Sequence, residues 1–324
     1  MHVVSIIIGL LAARAGIKSI NKYVIRPNAL KMELKKYSNT DNIKILELPD
    51  DIYLDESKDN EVENNEVYKK VYDDFCSTLT SYVPRTYLDN FYRNFKTITE
   101  TETSAGFKFR RRITRGTLVY GSYNNLENEI DLGTSELAEL TNGKEHELLH
   151  ASSAYYDEKN NVIYSGFSQI HLNVEDPSKS FAFGMGINEG ATQYLANKYF
   201  DPFGMKPLAR KAYQEEQIIV QTLEKIVGEE KFMSCYFRAD SKGLFDELIR
   251  YTSKEEVYKF INYTDVLLRH TRDKNYDFKE LNEVKEFIDM FLLKAYSRAH
   301  NKSMNVLTAA LFMMENAPYE IKSR

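Results

Sequence analysis

Residues 144–153 read KEHELLHASS, with His146 and His150 four apart and Glu147 directly after the first histidine. Side chains four apart share one face of an α-helix, so a helix here aims both imidazoles at one point. Two neutral imidazoles suit a zinc ion. Glu147 stands where it can lean past a metal without binding it. The chemistry such a set performs is metal-assisted hydrolysis. The histidines hold Zn2+, the ion brings the pKa of water to about 7, and the glutamate carries the proton to the leaving amine. The chain has only six histidines, which makes this spacing a specific signal. The rival reading is a helix that holds two histidines for packing alone, and a third ligand decides between the two.

A catalytic zinc takes three protein ligands. The pattern H-E-x-x-H-x-x-G-x-x-H would put a glycine at 153 and a third histidine at 156; the chain has Ser153 and Tyr156, so the ligand must come from elsewhere. The stretch INEGATQYLA, residues 187–196, offers Glu189, early in a predicted helix entered through Gly184 and Gly186. Gly190 and Ala191 follow it, small residues that mark a close approach to other backbone. Gln193 is four residues further on and shares the face of Glu189. Its amide oxygen can accept the outer N–H of a ligating histidine and so fix the ring's tautomer.

HELLH followed at a distance by NEGATQ resembles the gluzincin metallopeptidases, which pair HExxH on one helix with a glutamate ligand on a later one. Asn188, Glu189 and Thr192 match the thermolysin-type pattern N-E-x-x-[ST]-D, while Gln193 stands in the place of its aspartate. The gap between the two motifs is also wider. The likeness is therefore to the clan, with a flavour of the small bacterial gluzincins and lethal-factor-like proteases, and it covers roughly residues 115–200. It implies a zincin-like fold and a zinc-dependent endopeptidase acting on a peptide or protein substrate. It also implies His146, His150 and Glu189 as ligands and Glu147 as general base. A strand just upstream of the HExxH helix, within 126–132, would bind extended substrate by β-pairing. Related enzymes donate a hydrogen bond to the developing oxyanion from a Tyr or His near the glutamate helix. Tyr213 in AYQEEQ is the candidate, with Tyr164 and His171 behind it.

The elements that must position these residues read as α+β, with a small mixed sheet, an active-site helix, a mostly helical C-terminal half and a cleft between them. Apolar residues at intervals of four, Val67, Val71, Phe75 and Leu79, predict a helix over 65–82. KTITETE alternates, and GFKFRRRITRGTLVYGSY gives two strand-like stretches around Gly116. A helix or helix pair is expected from Ser135 to about Tyr156, then a turn and a strand within 160–172. Beyond Pro207 every segment has helical spacing. Three regions follow: an apolar and basic helical segment 1–41, an α/β subdomain 42–160 with HELLH, and a helical subdomain 161–324 with the glutamate ligand. The acidic run between Glu47 and Glu66 reads as a solvated loop.

Composition narrows the class. A net charge of -5 argues against a nucleic-acid binder, despite the basic cluster between Lys108 and Arg115. Two distant cysteines, Cys76 and Cys235, read as reduced core thiols, which fits a cytoplasmic chain. The apolar run VVSIIIGLLAA is short of the about 20 residues that span a bilayer. Arg14, Lys18, Lys22 and Arg26 then recur every four residues. Residues 1–26 thus fit a packed helix, a peripheral membrane contact or a cleaved leader. The functional alternative to a peptidase is a non-catalytic scaffold of the same shape whose metal is structural or lost.

Overall fold

The computed structural model describes residues 66–101, 121–132, 142–176, 179–271 and 278–302. The segment 1–41, the strand-like stretch at 42–48, the acidic run and the basic cluster of 108–115 lie outside the described residues. Among those described, no helix is long and apolar enough to cross a membrane.

The architecture is α+β. Helix α1 (Glu66–Tyr82) and the short α2 (Asp89–Asn94) precede three strands, β1 (Thr99–Thr101), β2 (Gly121–Asn124) and β3 (Glu129–Leu132). They form a mixed sheet in the order β1-β3-β2, parallel between β1 and β3 and antiparallel between β3 and β2. Helix α3 (Gly143–Ser152) carries HELLH. Strands β4 (Ala154–Asp157), β5 (Val162–Ser165), β6 (Ser168–His171) and β7 (Phe181–Phe183) make an antiparallel meander. From there the chain is helical: α4 (Met185–Phe200), α5 (Pro207–Lys211), α6 (Gln214–Val227), α7 (Glu229–Phe237), α8 (Ser241–Tyr251), α9 (Lys254–Thr271) and α10 (Phe278–Ala299).

One continuous core joins these layers. Leu148, Leu149 and Ala151 on the inner side of α3 meet Phe91 of α2, Ile130 of β3 and Ile187 and Leu195 of α4. Phe260 of α9 stacks on Phe291 of α10 at 4.2 Å, closing the helical side. Cys76 and Cys235 are both buried in this core and form no disulfide, and burial pushes the Cys235 thiol up to about 12. The expected boundary between residues 160 and 161 falls in the turn joining β4 to β5, two strands paired from Ala154↔Ser165 to Asp157↔Val162.

Three expectations change. Strand β3 cannot take up substrate along its edge, because β2 occupies one side of it and β1 the other. Helix α3 ends at Ser152 rather than continuing to Tyr156. There the hydroxyls of Ser152 and Ser153 bond back to Leu148 O and Leu149 O, and the Asn94 amide donates to Ala151 O and Ala154 O, so the chain turns directly into β4. The single strand expected within 160–172 is the hairpin β5–β6. Gly166, at φ +51, makes its turn, and a Cβ there would strike Asn188 Oδ1 at 2.2 Å.

Helix α4 is the central element, and its glycines explain how close its neighbours come. A Cβ on Gly186 would lie 2.3 Å from Thr264 O of α9, and one on Gly190 would lie 2.6 Å from Glu216 O of α6. The start of α4 has no side-chain cap of its own. Asp265 of α9 supplies one from outside, accepting the N–H of Gly184 at 2.9 Å and of Gly186 at 2.7 Å. Burial pushes Asp265 up from 3.8 to about 6, against the lowering effect of those backbone bonds. The folded chain therefore holds this proton more tightly than the unfolded one. The linked stability is full below about pH 3.8 and is lost as pH rises through about 6. Asp265→Asn removes the titration while keeping an acceptor. Its stability relative to the parent, read from urea midpoints, is expected to improve steadily between pH 4 and 7. A constant difference over that range would contradict the raised carboxyl.

Candidate metal centre

The first-turn backbone of α3 starts from Asn142, a fully buried residue in the left-handed region at φ 54, whose carbonyl accepts the His146 N–H at 2.8 Å. From this start, His146 and His150 project from one side of the helix while Leu148 and Leu149 go to the core. The two ring nitrogens come together as the spacing requires: His150 Nε2 lies 3.1 Å from His146 Nε2.

Helix α4 crosses this face, and Glu189 meets the pair. Its Oε2 is 3.4 Å from His146 Nε2 and its Oε1 is 4.0 Å from His150 Nε2. One donor atom from each of the three residues falls within 4.8 Å of the others. The side chains are only 7%, 12% and 13% exposed, so bulk water does little to screen them.

The outer nitrogens are also engaged. His146 Nδ1 faces Gln193 Oε1 at 3.1 Å, the partner the sequence suggests for a ligating histidine. His150 Nδ1 faces Thr192 Oγ1 at 3.5 Å. The Thr192 hydroxyl donates to Asn188 O at 2.8 Å and lies 2.7 Å from the hydroxyl of the buried Tyr236. With Thr192 donating to a carbonyl, it accepts from His150 and from Tyr236. Both Nδ1 atoms are then the protonated ones, and both Nε2 lone pairs point toward each other and toward the Glu189 carboxylate. Such a convergence of acceptors is stable only around a positive charge. Burial disfavours the His146 imidazolium, but the hydrogen bond and charge of Glu189, together with the charge of Glu147, outweigh it and leave the pKa above the ordinary value. A small divalent cation satisfies the same lone pairs better. Donors at 2.0–2.1 Å from a tetrahedral ion stand about 3.4 Å apart, close to two of the three separations seen. The donor set of two imidazoles and a carboxylate fits zinc.

Glu147 is 9% exposed and turned from the ligand face toward the small sheet. A Cβ on Gly121, the first residue of β2, would lie 2.7 Å from Glu147 Cγ and 3.2 Å from its Oε1. The absence of a side chain at Gly121 is what lets the strand run alongside this carboxylate. Tyr213, the N-cap of α6, stacks its ring on His146 with centroids 5.6 Å apart and planes within 10°. Its backbone is left-handed, at φ 52, which costs a non-glycine residue about 1–2 kcal/mol. Strain of this kind concentrates at functional positions.

The two reserve candidates sit elsewhere. Tyr164 is fully buried in β5 in a small cluster with Val162 and Ala239, and burial pushes its hydroxyl up to about 12. His171 of β6 stacks on Phe181 at 4.4 Å, and burial lowers its pKa. Thr192, Tyr236 and Gly121 were not foreseen as site residues. Thr192 was legible in principle, being three residues after Glu189 on one helix face. Nothing local in the sequence marks Tyr236 or Gly121.

No protein-family profile, curated protein or solved structure matches the chain.

Metal-free protein titrated with zinc or cobalt is expected to bind one equivalent. Alanine at His146, His150 or Glu189 should weaken binding by more than the roughly 10–100-fold typical of outer partners. Unchanged affinity in all three variants would rule out this cluster as the binding site.

Proposed function

We propose that the chain is a zinc-dependent peptidase of gluzincin type, hydrolysing peptide bonds in a peptide or protein substrate. One observation carries this reading: His146, His150 and Glu189 converge from two helices, with Glu147 placed on the same helix as the histidines but off the ligand face. A structural metal site would be closed by a fourth protein ligand. Among the described residues this cluster holds three.

His146, His150 and Glu189 would hold the ion. When bound, zinc supplies Lewis acidity, lowering the pKa of water and polarising a carbonyl. The protein's residues perform the rest. Glu147 accepts a proton from the attacking water at its carboxylate as the water oxygen bonds to the acyl carbon. It returns that proton to the amide nitrogen as the C–N bond breaks, so the products are a carboxylic acid and an amine. Tyr213 is the proposed hydrogen-bond donor to the developing oxyanion, since it is the candidate tyrosine that reaches the ligand face. Substrate backbone is no longer assigned to β3, whose two sides are taken; what the small sheet offers the site is Gly121 of β2, against which Glu147 packs.

Glu147→Gln tests the mechanism. It keeps shape and burial but cannot take up a proton. Turnover of a casein or peptide library should fall by roughly 10²–10⁴-fold while zinc content stays near that of the parent. Full activity in this variant would remove Glu147 from the chemistry. Gly121→Ala tests the packing of β2 on Glu147. The added methyl presses on Glu147 Cγ at 2.7 Å, so turnover should drop while zinc affinity is unchanged. Parental kinetics there would show that β2 does not set the position of the base.

A further inference from the structure

Two separate contacts hold the His146 ring, and both lead to one residue on another helix. The backbone carbonyls of Arg210 and Ala212 can only accept. The Gln217 side chain therefore faces them with its amide nitrogen, donating to Ala212 O at 2.6 Å and to Arg210 O at 3.4 Å. Gln217 Oε1 is left to accept, and it receives Asn197 Nδ2 at 2.9 Å. Asn197 Nδ2 also points toward Ala209 O, but at 3.4 Å, beyond the usual range of about 2.7–3.2 Å, so Gln217 is its main acceptor. Asn197 Oδ1 must then accept, and two amides donate to it: Gln193 Nε2 at 3.2 Å and Asn142 Nδ2 at 3.0 Å. Gln193 can present only Oε1 to His146 Nδ1, at 3.1 Å.

An amide whose orientation is normally ambiguous is thus determined at every link, because the series ends on carbonyls. The consequence reaches the ring. His146 must carry its proton on Nδ1 and its lone pair on Nε2, the reverse of the preference of a neutral histidine in water. Gln193 and Gln217 are 2% and 7% exposed, so solvent does not readily replace either link.

Gln217 also holds the other contact. Its backbone N–H donates to Tyr213 O at 2.8 Å, and its side chain holds Ala212 O. The two bonds bracket Tyr213, whose ring lies on His146.

We infer that Gln217 is a positioning residue for the metal centre: through Asn197 and Gln193 it sets the tautomer of His146, and through residues 212 and 213 it holds Tyr213 against the same ring. The inference rests on the metal-site reading above. A purely structural role for these amides, tying α4 to α6, would affect stability without affecting the proton on His146, and that difference makes the two separable.

The test reads metal-free protein labelled with nitrogen-15 at histidine, at alkaline pH where the imidazole is neutral, beside zinc affinity measured by chelator competition. The parent should show His146 as the Nδ1–H tautomer. Gln217→Met keeps the length of the side chain and makes none of its hydrogen bonds. It should shift His146 toward Nε2–H and weaken zinc binding about tenfold, in the range of outer-partner losses. Gln217→Glu, ionised at this pH, still accepts from Asn197 but has no donor for Arg210 O and Ala212 O, so where it folds it should keep more of the Nδ1–H form than Gln217→Met. If Gln217→Met does not fold, Asn197→Asp replaces it. That residue can only accept, so Gln193 keeps its orientation and Nδ1–H should persist. Parental tautomer and zinc affinity in folded Gln217→Met, or Nε2–H in Asn197→Asp, would overturn the relay. A parent that binds neither zinc nor cobalt would overturn the metal reading instead, and the tautomer measured without metal would still decide the relay.

Discussion

The structure depends on a close crossing of two helices. Glu189 can stand 3.4 Å from His146 Nε2 only if the backbone of α4 lies nearly in contact with its surroundings. Gly186 and Gly190 allow that contact on the α9 and α6 sides, where any side chain would meet a main-chain carbonyl. The crossing gathers several lone pairs in a poorly hydrated place, an arrangement that is unfavourable by itself. A cation bound there, as proposed, would turn the unfavourable term into the reason for the geometry. On that proposal the stability of this region and its chemistry are two aspects of one interaction.

Around that crossing the protein separates tasks by element. Helices α3 and α4 hold the three donors. The small sheet meets Glu147 through the bare backbone of Gly121. The start of α6 brings Tyr213 to the ring of His146. The three donors and Glu147 thus have separate supports, and a change in one need not disturb the other. The N-terminal end of α4, four residues before Glu189, is fixed in turn by Asp265 from α9, which ties the position of the ligand to the helical half of the chain.

Much of this was legible in the sequence, and the reason is periodicity. His146, Glu147 and His150 lie on one short helix, and Glu189 and Gln193 lie on another, so their mutual arrangement follows from 3.6 residues per turn. The α+β class and the run of helices after Pro207 follow from the same kind of local pattern. What the sequence hid is long-range. Sheet order is one case: that β3 lies between β1 and β2 depends on β1, residues 99–101, returning beside residues 129–131, and no local signal encodes this. Tyr236, Gly121 and Gln217 are others, each joined to the site across many residues of chain. The hairpin at Gly166 has a local signal, the Ser165-Gly166 pair that favours a turn, but the flanking residues continue the same β-rich composition and mask it.

The glutamine at 193 follows from the charges already present. Glu147 and Glu189 both lie within the electrostatic reach of His146, and each raises its pKa. A carboxylate at 193 would accept the Nδ1 proton more strongly, but it would place a third negative charge beside two poorly hydrated ones. An amide accepts the same proton without adding charge. It also has a donor to spare, and that donor goes to Asn197, which passes the orientation on to Gln217 and finally to main-chain carbonyls. A carboxylate would have ended the series at its first link. Compared with an aspartate at this position, the glutamine exchanges a strong, isolated partner for a weaker one anchored to the backbone of a second helix, and it makes the orientation of His146 a property of the fold rather than of one neighbouring charge.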